Sequence, residues 1–132
     1  MSNIIFISTK SRNSSLDFEK ITYYINKHLN PSFIEPKNPV ICEKGNNYLS
    51  IINDKTTEKL RNCRETNAYL GAILKNNKKW WKVGSNKPDG AYLIIRSNEN
   101  ECELLTDYVG SRTLWYFHDV NYFIASSSQR AI

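Results

Sequence analysis

The residues of this chain that could do chemistry are few and scattered. Its three cysteines, Cys42, Cys63 and Cys102, are odd in number, and no two of them form a C-x-x-C pair. That pattern indicates neither a disulfide framework nor a zinc site, and reads as reduced, partly buried thiols. His28 falls near the apolar stripe of a helix, with no second histidine or acid at ligand spacing. It reads as a helix-end side chain and not a metal ligand. The densest basic group is Lys75, Lys78, Lys79 and Lys82 around Trp80-Trp81. Lysine interleaved with tryptophan can hold a nucleic-acid strand by charge and stacking. The net charge of +5 is otherwise spread thinly, and Glu58, Glu65, Asp89 and Glu99 intervene. A solvated loop with its tryptophans folded back onto the domain accounts for the run more simply. Two further motifs stand in the last third of the chain. Asp89-Gly90 opens a turn. In Asp107-Tyr108-Val109-Gly110-Ser111-Arg112, Gly110 permits a special backbone angle, and Arg112 can pair with Asp107 across the connector. An architectural role is the first reading of Asp89, Gly90, Asp107 and Arg112, and contact with a substrate is the alternative.

The elements that must carry these residues are clearest from Pro88 to Ile132. Ala91–Arg96 (AYLIIR) reads as a strand too apolar for a face that meets water. Ser97–Asn100 is a polar turn, and Glu101–Asp107 is the partner strand of a longer-loop hairpin. Thr113–His118 is a β-branched and aromatic strand. Asp119-Val120-Asn121 turns the chain into a fourth strand, Tyr122–Ala125. Ser126–Gln129 offers hydroxyl caps for a helix starting near Gln129-Arg130-Ala131, where the chain stops.

Earlier in the chain, Asn3–Ser8 (NIIFIS) suits a buried strand. Ser14 or Ser15 can cap the next helix, with Asp17 in its first turn. Phe18, Ile21, Ile25 and Leu29 recur at helical spacing with Tyr24 beside them, and Asn30-Pro31 ends the helix. Short strands follow at Phe33-Ile34, Pro39–Cys42 and Tyr48–Ile52, the last two forming a hairpin across Gly45-Asn46-Asn47. Asn53–Thr66 is ambiguous and holds at most a helical turn around Glu58–Arg61. Asn67–Leu74 reads as a strand in which Gly71 admits a close neighbour, and Asn76–Pro88 is a long loop. At 132 residues the chain is one domain with room for a core. Runs of strands with segregated helices give an α+β class. No apolar run approaches the roughly 20 residues that span a bilayer, and MSNIIFISTK lacks the features of a signal peptide. A cytoplasmic protein is expected.

The stretch from Asp89 onward resembles the N-terminal half of asparagine synthetases and related ATP-dependent amide-forming enzymes, a class II glutamine amidotransferase domain. The shared features are Asp89-Gly90, the two strands about a polar turn, Asp107 to Arg112 with Gly110, Trp115-Tyr116, and Ala125-Ser126 followed by Arg130-Ala131. Trp80-Trp81 fits more loosely. The resemblance implies the α-β-β-α sandwich of N-terminal-nucleophile (Ntn) hydrolases. Two mainly antiparallel sheets would face each other, with a truncated or short second helix layer, in one domain over residues 1–132.

In that family an N-terminal cysteine attacks the glutamine amide, and its own α-amino group, titrating near ~7.7–8.0, is the base. Here Ser2-Asn3-Ile4-Ile5-Phe6 falls where the family has its cysteine and first strand, and loss of Met1 would expose Ser2. The family's Arg-Gly-Pro-Asp stretch has no match, Arg64-Glu65-Thr66-Asn67 being the nearest basic segment. Its Asn-Gly oxyanion pair is missing too, since Gly45-Asn46 is reversed and says only turn. Oxyanion stabilisation is worth a factor of ~10²–10³, so hydrolysis would be inefficient. The Ser-Gly-Gly-x-Asp-Ser pyrophosphate loop is absent, so the resemblance implies ATP and magnesium only for a separate synthetase domain. The expectation is a non-catalytic amidotransferase-like domain that docks to an ATP-pyrophosphatase-type synthetase domain or partner, or forms a homo-oligomer. It would hold no cofactor or metal and use neither membrane nor nucleic acid. The alternatives are an active glutamine amidohydrolase using Ser2 and, more weakly, a basic nucleic-acid-binding module.

Overall fold

The first apolar run of the chain becomes the middle of a sheet. The structure, a computed structural model, describes residues 2–10, 17–30, 38–52, 66–75 and 78–132. β1 spans Asn3–Thr9, and Ile4, Ile5, Phe6 and Ile7 are all buried. A strand covered on both faces has no polar side to show, which is why its sequence does not alternate. β2 (Val40–Lys44) and β3 (Asn47–Ile52) form a hairpin about Gly45-Asn46, and β3 lies antiparallel along one side of β1. The other side of β1 takes β8 (Tyr122–Ser126), which in turn pairs with β7 (Trp115–His118). The result is a five-stranded sheet in the order β2-β3-β1-β8-β7.

The second sheet is a meander of β4 (Ala68–Ile73), β5 (Gly90–Ser97) and β6 (Cys102–Thr106), all antiparallel. Gly71 has φ +108°, and a Cβ there would stand 2.1 Å from the carbonyl oxygen of Ala91. The backbone of β5 therefore approaches β4 through a space that only glycine leaves open.

Residue parity divides the core into layers. Ile4 and Phe6 of β1 and Leu49 and Ile51 of β3 meet Leu70 of β4 and Leu93 and Ile95 of β5, between the sheets. Ile5, Ile7, Tyr48 and Ile52 point the other way, onto helix α1 (Phe18–Leu29), which returns Phe18, Ile25 and Leu29. The expected serine caps lie outside the described residues. The cap is Asp17, whose side chain accepts the Lys20 N–H at 3.1 Å. Tyr24 and His28 stay on the exposed side of α1, with ring centroids 4.2 Å apart.

The outer face of the second sheet has a different cover. Tyr92 and Ile94 of β5 pack against Trp80, with Tyr69, Ile73, Trp81 and Leu105 around them. Trp80 is 3% exposed. Residues 78–85, part of the long loop expected over 76–88, thus lie across this sheet as an aromatic strap. The cap expected after β8 differs. Gln129–Ala131 is one turn of 3₁₀ helix, and the Ser128 side chain makes no cap bond. The expected strand at Phe33-Ile34 and the helical turn at Glu58–Arg61 fall outside the described residues. The chain is therefore α+β at the coarse level, with two facing antiparallel sheets and, among the described residues, one α-helix. No helix of the described residues is long and apolar enough to cross a membrane.

Candidate functional site

Ser2 precedes the central strand, and the end of β8 holds it there. The Ile4 N–H donates to Ser127 Oγ at 3.0 Å, and the Ser127 N–H donates to the Ile4 carbonyl at 3.1 Å. The Ser127 hydroxyl reaches Asn3 Oδ1 at 3.3 Å. The sequence pattern assigned Ser126 and Ser127 to helix capping. In the fold Ser127 instead closes the β1–β8 ladder beside Ser2.

The facing wall comes from the connector after β6. Asp107, 3% exposed, is its organiser. Its carboxylate accepts the N–H groups of Tyr92 at 3.0 Å, Val109 at 2.9 Å and Ser111 at 3.1 Å, and the Ser111 hydroxyl. Gly110 supports the same turn with φ +67°, and its N–H donates to the Asp107 carbonyl. The Ser111 hydroxyl is the largest influence on Asp107, and with the three N–H donors it brings the carboxyl down to about 2 against the cost of desolvation. These four donors use both carboxylate oxygens. The expected pairing of Arg112 with Asp107 is accordingly not formed, and Arg112 stands exposed on the cleft side of the connector.

Between the two walls lies a cleft of about 530 Å³, lined by Ser2, Asn3, Ala91, Ser111, Arg112, Thr113 and Ser127. Of the residues singled out from sequence, Ser2 and Arg112 come together here. Asp107 braces the wall from behind. Asp89 and Gly90 serve the sheet: the Asp89 carbonyl accepts the Leu74 N–H at 2.8 Å, and Gly90 abuts Ala72 of β4. A guanidinium among three or four hydroxyls suits a carboxylate or another small anion. No thiol lines the cleft. Cys42 is buried on β2, and burial, with Glu103 adding to it, pushes the Cys102 thiol up to about 12, which makes that sulfur inert at neutral pH. Cys63 lies outside the described residues, as do Arg64-Glu65. Among the described residues no group of histidine, cysteine and carboxylate side chains could hold a metal ion.

Two features escaped sequence reasoning. A second, more polar cleft of about 630 Å³ opens at the other end of the sandwich, lined by Thr9, Lys44, Asn46, Thr66, Ser97 and Glu99 among others. Thr66 has φ +45°, is buried, and shares a 2.6 Å hydrogen bond with the Ser97 hydroxyl. Its lining comes from turn residues that are far apart in sequence. The other feature is Arg96, 2% exposed, beneath the strap. It pairs with Glu103 and donates to the Trp80 carbonyl at 3.2 Å, the Ser85 hydroxyl at 2.9 Å and the Ser85 carbonyl at 2.6 Å. Both oxygens of Glu103 also accept the Gly84 N–H. Burial works against the ionised form of Glu103, but the Gly84 N–H and the Arg96 guanidinium outweigh it and hold the carboxyl below its ordinary value. The signal available in sequence was one cation ending an apolar strand, with an acid on the partner strand of the hairpin. Lys78, Lys79 and Lys82 are exposed, but Trp80 is committed to the core and offers no ring face to a base.

No protein-family model, curated protein or solved structure matches this chain.

Proposed function

We propose that this chain is an amidotransferase-like domain of the asparagine-synthetase type, built on the Ntn-hydrolase sandwich but without its glutamine chemistry. It acts by docking to an ATP-dependent amide-forming synthetase domain or partner. The observation that carries this reading is the setting of Ser2. The N-terminal strand is central in one of two facing sheets, and its first residues lie in a cleft with Arg112 and the Asp107-braced connector. A hydroxyl takes the position that a thiolate must hold for efficient attack on an amide. Carboxylate activation by ATP and magnesium belongs to the partner in this reading. The test is glutamine turnover by protein purified with its native N-terminus. No glutamate release above background is expected. Release that is abolished by Ser2→Ala would overturn the inert reading.

A second reading has one observation in its favour: Ser2 shares its cleft with a cation and further hydroxyls that could orient an amide substrate. It requires removal of Met1, so that the α-amino group of Ser2 becomes the base. An electrophilic glutamine analogue would then label Ser2 covalently. Intact-mass measurement showing Met1 retained ends that reading.

A further inference from the structure

The two sheets differ in width, five strands against three, so one edge of the larger sheet overhangs the smaller. That edge is β7. Its side chains, Trp115, Tyr116, Phe117 and His118, are all exposed, and no other described strand is exposed throughout. Tyr116 lies opposite Ala125, which faces the inter-sheet core, so Tyr116 continues the inner face. It stacks near Phe123, with centroids 6.3 Å apart, yet is 70% exposed. Trp115 and Phe117 occupy the outer face at 41% and 46% exposure. Both faces of this strand keep ring surface open to solvent.

Sheet edges of this kind are normally guarded by charge, proline or a bulge. The opposite edge, β2, ends in exposed Glu43 and Lys44. β7 carries none of these devices. In an antiparallel sheet, alternate residues of an edge strand aim N–H and C=O away from the neighbour, so β7 offers an open hydrogen-bonding row flanked by aromatic rings.

We infer that β7 is the contact through which two copies of this chain associate, edge to edge and antiparallel, into one continuous ten-stranded sheet. This inference is independent of the amidotransferase reading. The geometry restricts the register. Outward-facing residues of a strand share one parity, so a two-fold pairing of β7 with itself must set some residue opposite its own copy. Centring on Tyr116 sets Tyr116 against Tyr116, Trp115 against Phe117 twice, and Leu114 against His118 twice. Centring on Phe117 would instead set Trp115 against Asp119. The first register pairs ring with ring on both faces, and aromatic cross-strand pairs each contribute ~0.2–1 kcal/mol. It is the register assigned here. At ~150–250 Å² per aromatic side chain, the exposures above leave roughly 350 Å² of ring surface per copy. With Leu114, His118 and the edge backbone, full burial of that surface on both copies would reach about 1,000 Å², the lower bound for a specific interface. An interface at that lower limit belongs with weak, transient contacts, so a dissociation constant in the micromolar range is expected.

Sedimentation velocity of the full chain from roughly 1 to 200 μM, a span that brackets such a constant, tests the inference. The wild type should pass from monomer to dimer across that range. Tyr116→Lys sets two like charges opposite each other at the two-fold axis and should weaken association at least tenfold, with circular dichroism unchanged. Tyr24→Lys, on the exposed side of α1, should leave it intact. Under mild oxidation Tyr116→Cys should form a disulfide-linked dimer, because directly opposed residues lie within disulfide reach, while Trp115→Cys should not. A wild type that stays monomeric throughout overturns the inference. So does a dimer that Tyr116→Lys leaves untouched, or a monomer whose β7 becomes protected only when a synthetase-type partner is added.

Discussion

Replacing Arg96 by methionine should detach the aromatic strap while leaving both sheets in place. Methionine keeps the length and most of the apolar bulk of the stem. What disappears is the guanidinium, with its bonds to Glu103, to the carbonyls of Trp80 and Ser85, and to the Ser85 hydroxyl. A hydrogen bond to a charged group is worth ~1.5–3 kcal/mol, but these share one donor group and do not add. Ser85 and Glu103 are also partly exposed, so water can replace some of what is lost. The bond to the Trp80 carbonyl, which is buried, is the one water cannot replace easily. The loss should be about 3–4 kcal/mol, at the lower end of the range for breaking a buried charge network. For a chain of this size that lowers Tm by roughly 10–15 °C. The assay is urea unfolding followed by circular dichroism and tryptophan emission, with the native emission maximum read separately. A red shift in native Arg96→Met reports Trp80 leaving the sheet before global unfolding. Glu103→Gln is the control. Its amide oxygen can still accept from Arg96, which keeps its other acceptors, so it should cost less than Arg96→Met, about 1–2 kcal/mol. If the two variants cost the same, or Arg96→Met costs under about 1 kcal/mol with no change in emission, then Arg96 does not hold the strap and the reasoning fails.

Three more outcomes follow from the same geometry. Gly71→Ala places a Cβ 2.1 Å from the Ala91 carbonyl at φ +108°, and should cost about 3 kcal/mol in thermal or urea unfolding. Asp107 is held down at about 2 from an ordinary 3.8, first by the Ser111 hydroxyl. Its contribution is present above pH 4 and is lost as pH falls from about 4 to 2; urea midpoints measured across that interval should drop, and Asp107→Asn should flatten the drop. Cys102, pushed up to about 12 by burial, should alkylate about 1,000-fold more slowly than an ordinary cysteine at pH 8. Peptide mapping of the native protein, with a urea-treated sample as reference, checks this.

Much of the fold was legible where a segment's own residues decide its environment. NIIFIS and AYLIIR carry no polar face, and each became the centre of its sheet. The Phe18, Ile25 and Leu29 stripe became the face of α1, and Gly71 marked a close backbone approach. What sequence did not reveal depends on contacts between distant residues. Ser127 reads as a cap until β8 is known to lie against β1, after which it is a rung of the ladder beside Ser2. Asp107 and Arg112 are five positions apart and of opposite charge, which suggests a pair. The intervening turn instead delivers two N–H groups and a hydroxyl to the carboxylate at shorter range, and Tyr92 of β5 supplies a third N–H. The lysine-rich loop around Trp80-Trp81 reads as solvated with its tryptophans folded back onto the domain, and Trp80 does fold back; how it is held was not legible. Its attachment depends on Arg96, buried because Glu103 stands directly across the hairpin.

The order of strands has a consequence for how the chain is made. The three-stranded meander and its tryptophan cover lie between residues 66 and 107, so that unit can assemble from neighbours in sequence as soon as it leaves the ribosome. β1 has no such option, because one of its two flanking strands is β8, more than 110 residues later. Until that last strand emerges, the Ile4 and Phe6 row has an open side. Pairings of such long separation form late and leave apolar edges available to aggregation in the interval. Chains truncated before residue 122 should therefore be retained by a holding chaperone in a pull-down more than the chain through Ile132 is.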